Sequence, residues 1–469
     1  YSLFMLALAR KELSACSYWL FIGEKPILPQ TIEDLSTKAT EEELKEAFVD
    51  EWGVKYSKDG RKLLKAPKKL DGIYSIRKGT KIICDEAFRW SKTIGCLFLK
   101  SLVIPDSVTN IGGSAFEDCK SLKSLVIPDS VTSIGHSAFS GCCSLGSIII
   151  PDSVASIGDK AFIGCKSLKS LVIPDSVTRI GNGAFNACSS LKRLVIPASV
   201  GNIIGNPFSG WNGELKCLSP YFIYDNKVLF DKDKSKIIAF RDKNTTSYVI
   251  PDSVNSIGDR AFWNCHSLKR LVLPDSVSSI GDWAFWNCRS LTDIVIPDSV
   301  NSIGDRAFGG CCSLKSLVFP DGVTSIGESA FEGCTSLSSL VIPDSVTSIG
   351  HSAFNACYSL SNIVIPNGVT SIGDSAFSRC KSLVEVVIPD GVSCIGFGAF
   401  WGCRSLTDIV IPDSVTSIRG YAFRDCESLT DIVIPDSVTC IGNCAFGGCS
   451  FPYDLKQELI FRFGDKIFG

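Results

Sequence analysis

Residues 121–142 read SLKSLVIPDSVTSIGHSAFSGC, and this stretch decides the fold because its pattern recurs along most of the chain. Its proline, Pro128, has equivalents every 23 residues, with a single longer step of 54 residues. Repeats of this length are typical of solenoids, in which each copy forms one coil of a continuous stack. The sequence therefore predicts a repeat solenoid. The fourteen equivalent prolines are Pro105, Pro128, Pro151, Pro174, Pro197, Pro251, Pro274, Pro297, Pro320, Pro343, Pro366, Pro389, Pro412 and Pro435.

Each repeat begins with the alternation that is typical of a β-strand. Leu125 and Ile127 alternate with Ser124 and Val126, so one pair faces the core and the other faces outward. The proline that follows cannot donate to a strand ladder, and a Pro-Asp pair favours a turn. We predict one short strand, then turns and a short helical segment, in each coil. About 15–17 such coils, each ~4.8 Å thick, would extend over roughly 70–80 Å.

The repeat resembles the BspA-like leucine-rich repeat, whose 23-residue copies read much like LxxLxIPxSVTSIGxxAFxxCxSL. The resemblance extends over residues 73–450. It implies a right-handed leucine-rich-repeat superhelix without catalytic residues. Members of that family are typically surface or secreted proteins of bacteria and some protists, and several are adhesins. The resemblance thus implies a binding protein at a cell surface.

Departures from the repeat suggest six segments. Residues 1–50 form a partly helical N-terminal segment, in which Thr40 and Glu43 make a capping-box pattern. Residues 51–95 form an N-terminal cap with the first degenerate repeat, and residues 451–469 a helical C-terminal cap. Regular repeats occupy residues 96–197 and 251–450. Between them, residues 198–250 contain a predicted hairpin, with strands at 221–230 and 236–240 around a turn at 231–235. This hairpin either continues the solenoid or bulges out as a binding loop.

The N-terminal 16 residues give an ambiguous targeting signal. The sequence LSAC at 13–16 resembles a bacterial lipoprotein processing box, but Arg10, Lys11 and Glu12 interrupt the apolar stretch before it. The chain also begins with Tyr1 rather than methionine, which suggests a fragment or a trimmed chain.

Composition points away from several functional classes. The 469 residues carry 47 basic and 49 acidic side chains, a net charge of −2 that argues against a nucleic-acid binder with a basic surface. No apolar run reaches the ~18–20 residues of a membrane-spanning helix. The sequence has three histidines, no nucleophile elbow, no phosphate loop and no zinc-protease motif. We therefore expect no enzyme activity and no cofactor.

Fourteen of the 22 cysteines share one repeat position, beginning at Cys96 and ending at Cys449. Side chains in one ladder point the same way, and free cysteine is commonly buried, so we expect a column of reduced thiols. Disulfides between adjacent coils are the alternative, because the coil spacing permits them. Zinc binding near Cys440, Cys444 and Cys449 is a weaker hypothesis, since their spacing is unusual and no histidine is close. We expect no metal site.

Two further rows of repeated residues could carry function. Aspartate follows the repeat proline in 12 of 14 copies, where it either caps its own turn or contributes to a calcium-binding column. Valine fills the outward strand position in 13 copies, either because β-branched residues stack well or because the row is a docking surface. Charges beside the valines change sign along the chain and could orient a partner. They run from Arg193 and Arg270 to Glu385, Asp408 and Asp431.

Tryptophans give the sharpest hypothesis about binding. Trp263, Trp286 and Trp401 share a variable position two residues before the ladder cysteine, and Trp283 lies close to Trp286. Because other copies accept charged residues there, these rings are expected to be exposed, which is typical of a protein or glycan hot spot. Alternatively they cover a local groove in the core. The partner-binding candidates are Trp263, Trp283, Trp286, Trp401, Arg270 and Arg289.

We conclude from the sequence that the protein is a non-catalytic, macromolecule-binding solenoid. The resemblance places it at the cell surface or in the secreted fraction, as an adhesin-like binder of host or matrix proteins or glycans. A cytoplasmic protein-interaction scaffold is the alternative, which a reduced cysteine column would suit.

Overall fold

A computed structural model describes residues 36–91 and 94–469, together with the backbone of a short antiparallel pair, Leu20–Phe21 and Pro26–Ile27. The LSAC sequence at 13–16 lies outside the described residues. Within the part of the chain that is described, no helix is both long and apolar enough to cross a membrane.

The protein is a β-solenoid of about 16 turns, as the repeat count predicted. Most coils contribute two short strands, one before and one after the repeat proline, and not the single strand that we predicted. Equivalent residues pair in parallel between neighbouring coils, as Ser124 does with Ser147 and Ile134 with Ile157. The buried isoleucine before the first glycine of the unit, Ile134 before Gly135, explains the extra strand, because it and the residue before it stack in register on their equivalents in neighbouring coils.

The first strands form a ladder on one side of the solenoid. They are Gly72–Ser75, Leu99–Val103, Ser124–Val126, Ser147–Ile149, Arg193–Ile196, Glu214–Cys217, Ser247–Val249, Arg270–Val272, Asp293–Val295, Ser316–Val318, Ser339–Val341, Asn362–Val364, Glu385–Val387 and Asp408–Val410.

The second strands form another ladder. They are Lys62–Lys65, Ile82–Ile83, Asn110–Ile111, Ser133–Ile134, Ser156–Ile157, Arg179–Ile180, Asn202–Ile203, Lys236–Phe240, Ser256–Ile257, Ser279–Ile280, Ser302–Ile303, Ser325–Ile326, Ser348–Ile349, Cys394–Ile395, Ser417–Ile418 and Cys440–Ile441.

A run of turns closes each coil, where we predicted a short helical segment; that prediction is wrong. Two residues per coil have left-handed backbone, for example Ser137 (φ 52°) and Gly141 (φ 70°). A residue with positive φ interrupts a right-handed helix, so the turn cannot propagate. The backbone amides bond to the next coil instead, as Phe139 N does to Ala161 O at 2.8 Å.

The core is built from ladders of identical apolar residues. In the repeat 122–142, Leu122, Val131, Ala138, Phe139 and Cys142 are all fully buried. The phenylalanine rings stack from coil to coil, and such stacks add to the stabilisation from burial itself. Phe308 and Phe331, for example, have centroids 5.2 Å apart and planes within 6°.

Helices are confined to the two ends of the described chain. Helix α1, Glu41–Lys45, begins at a capping box in which Thr40 and Glu43 bond each other's backbone amides. Helix α2, Tyr453–Phe463, is followed by a 3-10 turn, Asp465–Ile467. Leu459 of α2 and Ile467 are buried against the last coil, so they shield a core that would otherwise be open to water.

In most coils a serine follows the Pro-Asp pair, and this serine rather than the aspartate fastens the turn. The Ser130 hydroxyl donates to the Val108 carbonyl of the preceding coil, and Ser153 does the same to Val131 O at 2.6 Å. Within residues 94–469, none of the aspartates in this row accepts a hydrogen bond from its own turn. The turn-capping interpretation of this row is therefore wrong, and the row is an exposed line of carboxylates such as Asp129.

The interruption at 198–250 contains three antiparallel strands. The stretch 221–230 was predicted as one strand, but it is a hairpin of Phe222–Asp225 and Val228–Asp231. Its turn residues Asn226 and Lys227 both have positive φ, as a two-residue type I′ turn requires. The third strand, Lys236–Phe240, then pairs in parallel with the regular coils that follow.

This hairpin separates two hydrophobic cores. Phe230 and Ile237 pack into the core that continues to the C-terminus, whereas Leu229 and Ile238 pack into the core of the preceding coils. The N-terminal cap has the same plan, in which Lys55–Tyr56 pairs antiparallel with Lys62–Lys65 before the regular coils begin. We call residues 51–217 the N-terminal unit and residues 222–469 the C-terminal unit.

Candidate functional site

Three of the candidate tryptophans meet in the turn runs of two adjacent coils. Trp263 lies 5.3 Å from Trp283 and 6.1 Å from Trp286, and the centroids of Trp283 and Trp286 are 4.7 Å apart. All three side chains are half-buried, between the exposed and the core-covering positions that the sequence left open. We call these three residues the tryptophan cluster.

Two arginines flank the cluster, and both were missed by the sequence analysis. Arg260, Trp283 and Arg306 occupy the same repeat position in three successive coils. The Arg306 guanidinium carbon lies 4.8 Å from the Trp283 centroid, and that of Arg260 lies 5.5 Å from both Trp263 and Trp283. These are cation–π distances, so one indole is held between two cations. Comparing residues at 23-residue spacing around Trp283 would have revealed both arginines.

Acidic neighbours act on these two arginines in different ways, through an ion pair for Arg306 and through the pKa for Arg260. Arg306 is fastened by an ion pair with Glu328, at 2.7 Å between Nη2 and Oε1. Burial lowers the pKa of Arg260, although Asp259 and Asp282 oppose that shift. Burial, together with the like charges of neighbouring carboxylates, also raises the pKa of Asp282. The cluster is therefore a mixed surface of indoles, guanidinium groups and carboxylates.

A glycine in the next coil leaves room for the outermost indole. Gly309 occupies the repeat position of Trp263 and Trp286, and a Cβ added to it would lie 2.1 Å from Cζ3 of Trp286. No side chain can share that space with the indole. Trp286 therefore lies over Gly309, and the row of large residues ends there.

The backbone beneath the cluster is anchored by the interruption. Lys243 Nζ donates to the Trp263 carbonyl at 2.7 Å and approaches Cys265 Sγ to 3.2 Å. Burial opposes ionisation of the Cys265 thiol, but hydrogen bonding with Cys288 and the Lys243 charge outweigh it and lower its pKa to about 7. The tryptophan cluster therefore lies next to the ionisable contact between Lys243 and Cys265, near the start of the C-terminal unit.

The backbone of Trp283 is itself unfavourable. Its φ is 57°, in the left-handed region where large side chains are rare and cost about 1–3 kcal/mol. The equivalent residues of other coils share this left-handed backbone and range in size from Gly398 to Tyr421. The fold therefore does not require tryptophan at this position.

The remaining candidates do not join the cluster. Trp401 lies five repeats beyond Trp286, where its Nε1 donates to Asp425 Oδ2 at 3.0 Å. Arg289 is exposed beside the cluster and bonds Asn287 Oδ1 at 2.7 Å. Arg270 lies in a first strand, in the opposite half of its repeat from the turn run, so the structure does not place it with the tryptophans.

The ladder cysteines are buried free thiols in the structure. Eleven of the fourteen donate to a phenylalanine carbonyl 26 residues earlier, as Cys142 Sγ does to Phe116 O at 3.2 Å. Burial raises the pKa of these eleven thiols, to about 12 for Cys188 and Cys380, so they are poor nucleophiles. Among the described residues, no group of three or more histidine, cysteine or acidic side chains is arranged to hold a metal ion.

The outward side of the first-strand ladder carries a row of exposed aliphatic side chains, with 37% to 80% of each exposed. We call these residues the valine row. They are Ile73, Val103, Val126, Ile149, Val172, Val249, Val272, Val295, Val318, Val341, Val364, Val387, Val410 and Val433.

Comparison with known sequences identifies the repeat. The BspA-type leucine-rich repeat region matches in six copies over residues 81–213, 236–361 and 347–468, which is most of the chain. The protein belongs to the BspA-type leucine-rich repeat family. Proteins of this family are generally non-catalytic binding proteins.

Several solved structures resemble this BspA-type protein. A leucine-rich repeat protein from Eubacterium ventriosum is 25% identical, with a TM-score of 0.50 over 76% of this chain and 84% of that one. A leucine-rich repeat protein from Bacteroides ovatus is 28% identical, with a TM-score of 0.44 over 90% and 97% of the two chains. A leucine-rich cell surface protein from Faecalibacterium prausnitzii is 27% identical, with a TM-score of 0.43 over 77% and 94%. Among curated proteins, none matches this chain significantly.

Proposed function

We propose that this BspA-type protein is a non-catalytic, adhesin-like binder that contacts a host or matrix protein or glycan through the tryptophan cluster. The observation that carries the proposal is the packing of three half-exposed indoles against one another, with one of them, Trp283, held between Arg260 and Arg306. Tryptophan and arginine are the residues most enriched at binding hot spots, where large apolar area and charge-assisted hydrogen bonds combine.

The free-energy cost of holding these side chains in place supports a role in binding. Trp283 places a large indole at a position with left-handed backbone, and Arg260 loses hydration that its acidic neighbours restore only in part. Ser329, at the equivalent position, has the same left-handed backbone (φ 52°) but carries neither an indole nor a buried cation. Large, partly buried side chains that the turn itself does not require are better explained by recognition of a ligand than by folding.

The family supports a location at the cell surface or outside the cell, because its members are typically surface or secreted proteins. One observation favours the second candidate, an intracellular scaffold. The described cysteines are free thiols, which persist most readily in a reducing compartment. In the surface protein, the same thiols are protected by burial alone.

Binding to immobilised matrix proteins and to a glycan array tests the proposal. We expect Trp263→Ala/Trp286→Ala to weaken binding by at least tenfold, the effect of losing one hot spot of about 1.4 kcal/mol. Trp401→Ala is the matched control, because it removes the same side chain from the same repeat position five coils away. Equal losses in both variants would refute the assignment of the site.

A second variant tests the geometry of the cluster and not only its composition. Gly309→Ala retains all three tryptophans but displaces the Trp286 ring, since its Cβ would occupy the space of the indole. We expect weaker binding with an unchanged circular dichroism spectrum. Full binding by Gly309→Ala would show that the arrangement of the rings does not matter.

A further inference from the structure

Charge is segregated along the face that carries the valine row. Two exposed positions precede the buried leucine or isoleucine of each first strand, and in residues 123–193 they hold Lys123, Lys169, Lys192 and Arg193, with no acidic residue. In residues 384–431, the same positions hold Glu385, Asp408 and Asp431, with no basic residue. One end of the face is therefore basic and the other is acidic.

These charges are unpaired within the described part of the chain. None of the seven side chains takes part in an ion pair there, although other surface charges, such as those of Arg404 and Glu427, do pair. Opposite charges at the two ends lie far apart in one molecule, at least eight coils of ~4.8 Å, well beyond the ~8 Å Debye length at physiological salt. They cannot neutralise each other within one molecule.

A surface with this pattern is complementary to itself. When two copies face each other with their solenoid axes antiparallel, the basic end of each lies over the acidic end of the other, and the two valine rows meet between them. A parallel arrangement would place like charges together, so the charge pattern selects one orientation. An antiparallel pair of this kind has two-fold symmetry, the commonest symmetry of protein dimers.

The size of the face suits a dimer. Fourteen coils of ~4.8 Å, each presenting a strand about 10 Å long, give an area of about 670 Å². Specific interfaces bury about 800 Å² on each partner, so the face is comparable to a standard interface. Its apolar row lies at the centre and its charges lie beside it, which is the arrangement of a hydrophobic core and a polar rim.

We propose that the first-strand face is a self-association surface, through which two copies of this chain form an antiparallel dimer. The tryptophan cluster, in the turn runs, remains outside this contact and available to another ligand. Dimerisation would then present two tryptophan clusters on one assembly, and two linked sites bind a multivalent surface more tightly than one. The proposal is independent of the ligand that the cluster recognises.

Sedimentation equilibrium of the full chain at about 100 µM protein tests the proposal, since a dimer with a Kd near 10 µM would be mostly assembled. We expect a dimer that weakens at 1 M salt, where the Debye length is only about 3 Å. Asp408→Lys/Asp431→Lys and Lys123→Glu/Lys169→Glu should each weaken dimerisation at least about tenfold, because like charges then meet.

Mixing the two variants provides the decisive measurement. One variant has two basic ends and the other has two acidic ends, so together they should form a mixed dimer although neither dimerises alone. Asp233→Lys/Asp252→Lys is the control, because it makes the same charge change at exposed positions off the face and should leave the dimer intact. A wild type that remains monomeric would overturn the proposal, and so would a dimer that neither charge reversal weakens. A first-strand face that binds a different protein but not a second copy of this chain would also overturn it.

Discussion

Replacing one ring of the phenylalanine ladder should destabilise only the unit that contains it. Phe331 is fully buried and stacks between Phe308, at 5.2 Å, and Phe354, at 5.5 Å. Phe331→Ala removes both stacks and leaves a cavity that rigid neighbouring coils cannot fill, so we expect a loss of about 3–5 kcal/mol of unfolding free energy. The internal hairpin, with Phe230 facing one core and Leu229 the other, should confine that loss to the C-terminal unit.

Native-state hydrogen exchange measures both the size and the extent of this effect. Each 1.4 kcal/mol is a factor of ten, so amides in the coils around Phe331 should exchange about one hundred to several thousand times faster. Amides of the N-terminal unit should be unaffected. Phe162→Ala, at an equally buried position between Phe139 and Phe185, is the matched control and should produce the reciprocal pattern.

Equal acceleration in both units would refute this reasoning. It would mean that the solenoid unfolds as one cooperative body and that the hairpin does not separate the two cores. A loss smaller than about 1.5 kcal/mol would refute the packing argument instead, because it would imply that adjacent coils collapse into the cavity.

The remaining predictions concern cysteine and glycine. Because the pKa of Cys265 is lowered to about 7, its thiolate stabilises the fold above the ordinary thiol pKa and this contribution is lost as pH falls through 7. Cys265→Ser should therefore lose about 2 kcal/mol more unfolding free energy, relative to wild type, at pH 9 than at pH 6. In the native state a maleimide should label exposed Cys440 and spare the buried ladder; denatured but not reduced, most ladder cysteines should react, and blocked thiols would indicate disulfides. Gly350→Ala should lower the melting temperature, because its Cβ would lie 2.8 Å from the Glu328 backbone nitrogen, and an unchanged midpoint would contradict that contact.

Prediction of the tryptophan cluster from the sequence was limited, because the sequence does not show the direction of each side chain. The repeat register places Arg260, Trp283 and Arg306 at one position, so their proximity could be read from spacing. Their stacking could not, because it depends on a left-handed backbone that turns each side chain along the turn run. The same limit affected Arg270, which is close to the cluster in sequence but lies in a first strand.

The 23-residue spacing by itself determined the solenoid, the number of coils, the ladders of identical core residues and the family. It could do so because each coil packs mainly on its neighbours, which makes the fold a sum of local, repeated contacts. Only the tertiary structure decided how the backbone groups of neighbouring coils bond to one another. The second strand, the turn run and the serine bond of Ser130 to Val108 all satisfy backbone groups across a coil boundary. Each of those bonds joins two coils, so the sequence of one repeat contains only one of the two partners. Local sequence patterns therefore could not reveal them.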